Sequence, residues 1–160
     1  MATQVPVARQ VAWVALVPQL TLMACLAAAG TYLARDSWGI IAGIAVYLGN
    51  SFFARFVIAR SHRNGMRDVK QHRYAEAISA FQRSYAYFSK HAWLDRYRSI
   101  ALLSASAMSY REMALVNIAF CHSQLGQGAD AKSYYQRTLA EFPNNGMAIA
   151  ALKFIETFEH

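Results

Sequence analysis

The sequence predicts an all-α chain in two parts: a two-helix membrane hairpin over residues 1–60, then stacked helical hairpins over residues 61–160. Three observations predict it. Two long uncharged apolar stretches lie near the N-terminus, apolar residues recur at helical spacing through the remainder, and breakers cut that remainder into helix-length pieces. A length of 160 residues allows one ordinary domain or a small domain with an anchor. With 56% apolar and 16% charged residues, the chain is too apolar for disorder and unusually apolar for a water-soluble fold. Its 16 Lys and Arg against 9 Asp and Glu give a net +7, divided as +3 over residues 1–60, +5 over 61–112 and −1 over 113–160. The positive charge therefore lies beside the apolar N-terminal third.

Val11 to Leu33 carries no charge, and its polar interruptions are Gln19, Thr21 and Thr31, with one proline, Pro18. A helix over 11–33 reaches about 34 Å, enough for a hydrocarbon core of about 30 Å. Arg35, Asp36 and Ser37 interrupt, and a second span over 38–58 follows, with the long side chain of Arg55 reaching the headgroups. So short a connection turns the two helices into an antiparallel pair. Gly39 and Gly43 make a small-xxx-small pair for close helix packing, as do Ala24 and Ala28. Trp13, Tyr32 and Trp38 are the interfacial aromatic residues, while Tyr47 falls nearer mid-span.

Basic residues near spans stay in the cytoplasm. Arg9 precedes the first span, and Arg55, Arg60, Arg63, Arg67, Lys70 and Arg73 follow the second, whereas the intervening loop offers Arg35 beside Asp36. Both termini are therefore expected in the cytoplasm, with Arg55, Arg60, Arg63 and Arg67 as membrane-proximal bases that meet lipid headgroups. Leu22-Met23-Ala24-Cys25 looks like a lipoprotein cleavage box and Ala27-Ala28-Ala29 like a signal-peptidase site. Met23 fits the box poorly and the leading region holds one Arg, so the first helix is expected to remain. Cys25 and Cys121 lie far apart in sequence and outline no disulfide framework.

Beyond the basic stretch, Tyr74, Ala77, Ile78, Phe81, Tyr85 and Phe88 form one helical stripe that ends near Lys90-His91. Leu94, Tyr97, Ile100, Ala101 and Leu103 predict another helix. Ser109 and Glu112 then make an S-x-x-E capping box, and Met113, Val116, Ile118, Ala119, Phe120 and Leu125 carry the next helix to Gly126. Ala131, Tyr134, Tyr135, Thr138, Leu139 and Phe142 follow, and Pro143-Asn144-Asn145-Gly146 separates them from a last helix over 146–159.

Residues 112–145 resemble one tetratricopeptide repeat, the 34-residue helix-turn-helix unit. Ala119 stands at the small position of the first helix, Gly126 ends that helix, Ala131 and Tyr135 lie on the contact face of the second, and Pro143 closes the unit. Thr138 stands where the family usually has alanine. Residues 58–91 resemble a degenerate copy, with Gly65, Tyr74, Ala77 and Phe81 at matching places and Ser89 where a proline would close it. Residues 92–111 are then an insert, and 146–159 a capping helix. The resemblance covers about residues 58–160, and the chain as a whole is similar to short membrane-anchored bacterial repeat proteins, which implies a bacterial inner membrane.

That resemblance implies an α-solenoid that binds a protein or peptide in a groove lined by the first helix of each pair. The groove candidates are Met113, Val116, Asn117, Phe120 and Gln124, with Asn117 matching the asparagine of a carboxylate clamp. The rest of that clamp fails, because His62 and Met66 stand where the first repeat would offer a base and an asparagine, and the last helix offers only Lys153.

Catalytic patterns are missing from the sequence: it holds no Gly-rich phosphate loop, no G-x-S-x-G, no H-E-x-x-H and no Cys pair at zinc spacing. Cys121 and His122 are adjacent, so their side chains point about 100° apart on a helix and cannot share a metal by themselves. Asp95 with Arg98, and Glu112 with Arg111, are read as ion pairing and capping. No enzyme activity, cofactor, metal or nucleic-acid partner is expected. The expected role is a membrane-anchored scaffold or adaptor. The alternatives are an accessory subunit of a larger membrane complex, and a channel or transporter component whose path Asn50, Ser51 and Arg55 would line after homo-oligomerisation.

Overall fold

The computed structural model describes residues 16–35, 38–53, 56, 59–102, 104 and 106–158. Its helices are α1 (Leu16–Ala34), α2 (Trp38–Phe53), α3 (Arg60–Lys70), α4 (Tyr74–Lys90), α5 (Ala92–Arg96), α6 (Arg98–Ala101), α7 (Tyr110–Gln124), α8 (Gly128–Glu141) and α9 (Gly146–Phe158). They divide between two compact units, one of residues 1–55 with 97–108, the other of 56–96 with 109–160.

In the first unit α1 and α2 pack along each other. Their glycines make the contact. A Cβ on Gly39 would lie 2.2 Å from the carbonyl oxygen of Gly30, and one on Gly43 would lie 2.3 Å from that of Leu26. The contacts run 26 with 43 and 30 with 39, so the pair is antiparallel. Gly39 and Gly43 are buried, whereas Ala24 and Ala28 are exposed, and the close approach on α1 falls at Leu26, Ala27 and Gly30 instead. The Thr21 and Thr31 hydroxyls donate to the carbonyls of Val17 at 3.0 Å and Ala27 at 2.9 Å, within their own helix.

Among the described residues α1, with 19 residues, is the one helix long and apolar enough to cross a membrane. Of the second span expected over 38–58, α2 describes 16 helical residues, about 24 Å in length. Trp13, Arg9, Arg55, residues 11–15 of the first span and residues 54–55 and 57–58 of the second lie outside the described residues. The single helix expected around Leu94 to Leu103 is instead two short ones, α5 and α6, meeting at Tyr97. Arg98 draws the following segment back: its Nε donates to the carbonyl of Ser106 at 3.1 Å and its Nη2 to that of Ala107 at 2.7 Å.

The second unit contains two helical hairpins. α3 pairs with α4, α7 with α8, α4 packs on α7, and α9 lies against α8. Val69, Ala77, Phe81, Ala114, Ile118 and Cys121 form the buried cluster between the hairpins. Gly65 is needed for close approach: a Cβ there would meet the Phe81 ring at 2.7 Å. Both hairpins turn the same way. After α7, Gly126 N–H donates to Ser123 O at 3.2 Å and Gln127 N–H to His122 O at 3.0 Å; after α3, His72 N–H donates to Val69 O at 3.0 Å and Arg73 N–H to Asp68 O at 2.9 Å. These are two Schellman turns, closed by left-handed Gly126 (φ 73) and His72 (φ 57). His72 precedes Gly126 by the same 54 residues that separate Ala77 from Ala131, Phe81 from Tyr135 and Gly65 from Ala119.

α7 begins as expected. The Ser109 hydroxyl accepts from Glu112 N–H at 3.1 Å and the Glu112 carboxylate from Ser109 N–H at 3.3 Å. α3 starts less favourably, on Ala59 with no side-chain cap and with Arg60 and Arg63 in its opening turn, where a positive charge opposes the helix dipole by about 0.3–1 kcal/mol each.

Candidate functional site

The candidate groove residues sit on α7, which the capping box starts and the Gly126 turn ends. They are unequal. Val116 is buried at 5% exposure and presents no surface to a ligand, which corrects its place among the groove candidates: it lies where an apolar helix needs core. Met113, Asn117 and Phe120 are half-buried and Gln124 is exposed. Phe120 packs on the buried cluster and meets the Tyr74 ring edge-on, centroids 6.3 Å apart. Asn117 Nδ2 donates to the Met66 sulfur at 3.5 Å, a contact between α7 and α3 that sequence spacing does not reveal.

The other position relevant to a clamp is filled by a core residue. His62 is buried between the Phe81 and Tyr110 rings, each with its centroid 5.3 Å away and oriented edge to face, and its Nδ1 lies 3.5 Å from the Ser84 hydroxyl. Burial lowers its pKa from 6.5 to about 4, so the ring is neutral at pH 7. Burial also pushes the Cys121 thiol up to about 12, which leaves it a packing residue. Its neighbour His122 stacks on Tyr134 with centroids 5.3 Å apart and holds Gln127 Oε1 at 2.6 Å from Nδ1. No cluster of three or more potential metal ligands occurs among the described residues.

Two polar assemblies escape sequence reasoning. Asp95 of α5 is buried, and its two carboxylate oxygens accept from Tyr110 N–H at 2.7 Å and Arg111 N–H at 3.1 Å. Asp95 thus caps α7 from outside, while Arg98 donates to the carbonyls of Ser106 and Ala107. Glu141 gathers the second assembly. It accepts from the Tyr85 hydroxyl at 2.6 Å, from Arg111 Nη2 at 2.6 Å and from Arg137 Nε at 3.4 Å. Partial burial alone would raise the Glu141 carboxyl, but the Tyr85 hydroxyl and the two guanidinium groups outweigh it and hold it below its usual range. Partners 30 and 56 residues away leave no local sequence signal.

Arg60, Arg63 and Arg67 are exposed on α3, and the Arg63 guanidinium lies 4.1 Å from the centroid of the Phe56 ring. Arg55 is outside the described residues. Gly39 and Gly43 lie in the α1–α2 contact described above.

The second unit presents a pair of hairpins stacked in one register, with a partly open α7 face. Comparison with known proteins agrees with that shape. Residues 106–145 match the tetratricopeptide repeat family. No curated protein and no solved structure matches the chain.

Proposed function

With residues 106–145 a tetratricopeptide repeat, a unit whose role is protein–protein interaction, we propose that this protein is a membrane-anchored docking scaffold that works by binding without bond-making. The single observation that carries the docking half is the repeat itself, with the α3–α4 hairpin stacked on it in the same register. The open part of the α7 face, Met113, Asn117, Phe120 and Gln124, is where a protein or peptide binds.

Exposed apolar side chains support the anchor. Leu20, Leu33, Ile41, Val46, Leu48 and Phe52 of α1 and α2 are all more than half exposed. Leaving such surface in water costs about 25 cal/mol per Å², a penalty that lipid removes. α1 and α2 are then the two arms of a membrane hairpin, and the bases from Arg55 onward hold both termini in the cytoplasm of a bacterial cell. Anchoring raises the local concentration of a captured partner at the bilayer.

Photo-crosslinking in native membranes through an analogue at Gln124 tests the docking half. A specific protein, captured from Gln124 and lost when Phe120 is replaced by Ser, is the expected result. Recovery of lipid and the chain alone refutes it. For the anchor, a bilayer-impermeant reagent should leave His160 unlabelled in intact cells.

A further inference from the structure

Building on the anchor reading, we infer that α3 is a lipid-binding element whose basic stripe, Arg60, Arg63, Arg67 and Lys70, takes the headgroups of anionic phospholipids. All four side chains are exposed. Their spacing places them within an arc of about 80° on one side of the helix, while the opposite side buries His62, Gly65 and Val69.

The carboxylate of α3 itself is committed elsewhere: Asp68 is buried and pairs with Arg73. Folding of α3 does not explain the whole stripe. Arg67 and Lys70 suit the negative end of the helix dipole, but Arg60 and Arg63 occupy the positive end above an uncapped start, where a bound anion would offset the opposed dipole. Phe56, 46% exposed and beneath Arg63, adds an aromatic body of the kind that sits among headgroups.

Connectivity selects lipid over other polyanions. Residues 54–59 alone join α2 to α3, a reach of at most about 25 Å. A helix tethered so closely to an apolar one meets the bilayer surface before it meets nucleic acid.

The test uses the full chain in neutral detergent micelles doped with equal amounts of phosphatidylglycerol and phosphatidylcholine, with bound lipid counted by native mass spectrometry. Wild-type protein should retain phosphatidylglycerol preferentially and lose the preference at high salt. Each base near an anionic surface is worth about a fivefold factor. The triple variant Arg63→Gln, Arg67→Gln, Lys70→Gln should therefore reduce the preference by more than about tenfold. The matched variant Arg63→Lys, Arg67→Lys should keep it with an unchanged circular dichroism spectrum. Equal retention by wild type and triple variant overturns the inference, as does displacement of the lipid by a duplex oligonucleotide. Alkaline carbonate extraction of membranes separates the two claims. A chain stripped by carbonate refutes the anchor, and the micelle preference still decides the stripe.

Discussion

Gly126 and His72 hold the same left-handed turn in the two hairpins, and only one of them is suited to it. An L residue in that region costs about 1–2 kcal/mol, so Gly126→Ala should lower stability by about that amount. His72→Gly should change it less, because relief of the backbone is offset by the greater freedom of glycine in the unfolded chain. Thermal melts of the detergent-solubilised protein measure both. His62 gives a pH signature. Its folded pKa of about 4 lies below its ordinary 6.5, so between those values the unfolded chain binds a proton that the folded chain refuses. Stability therefore falls on acidification through that window, by about 3 kcal/mol in all. His62→Phe should flatten the stability curve between pH 6.5 and 4, as followed by urea denaturation. Gly126 was legible as a helix stop from its neighbours, whereas His72 was not, since nothing local marks a histidine for φ 57. The burial of His62 was equally hidden, because the rings around it come from α4 and α7.

α7 is tied at its first turn by two carboxylates and a hydroxyl, and they are not equivalent. Ser109→Ala removes a cap worth about 1 kcal/mol. Asp95→Ala removes two charge-assisted bonds and leaves part-buried N–H groups unmatched, a loss of about 2–3 kcal/mol. Hydrogen exchange at Tyr110 and Arg111 should accelerate more in the second variant than in the first. The other tie between elements, Glu141, titrates in a lower window than His62. Its carboxyl is held below the usual range, so its contribution is complete above the unfolded pKa of about 4.5 and disappears as the pH drops through the folded value. Glu141→Gln should blunt acid denaturation below pH 4.5 and weaken the α4–α8 connection through Tyr85. Among elements, the α4, α7, α8 and α9 stripes were readable from period and breakers. The split into α5 and α6 at Tyr97 was not, nor were the bonds from Arg98 to the carbonyls of 106 and 107, which lie beyond the reach of a periodicity argument. The groove was readable as a face of α7 but not in its detail: Val116 is core, and Asn117 is engaged by a sulfur on α3.

At the scale of the molecule, the apolar N-terminal helices and the repeat were both legible, one from an uninterrupted lack of charge and the other from positions twelve residues apart at Ala119, Ala131 and Pro143. The discontinuity of the second unit was not, since residues 97–108 group with α1 and α2 through contacts made far along the chain. Gly39→Leu should destabilise the α1–α2 pair by at least about 1–3 kcal/mol, the usual cost of overpacking, because no rotamer avoids the Gly30 carbonyl. A lowered melting temperature in micelles, with α7 amide exchange unchanged, is the expected result. The interruption between the hairpins also has a consequence for biosynthesis. When α4 leaves the ribosome its Ala77 and Phe81 have only α3 to pack on, and α7 is not yet made. At about 5–20 residues per second, translation from Lys90 to Gln124 leaves that sticky surface bare for a few seconds, long enough for a chaperone to find the nascent chain.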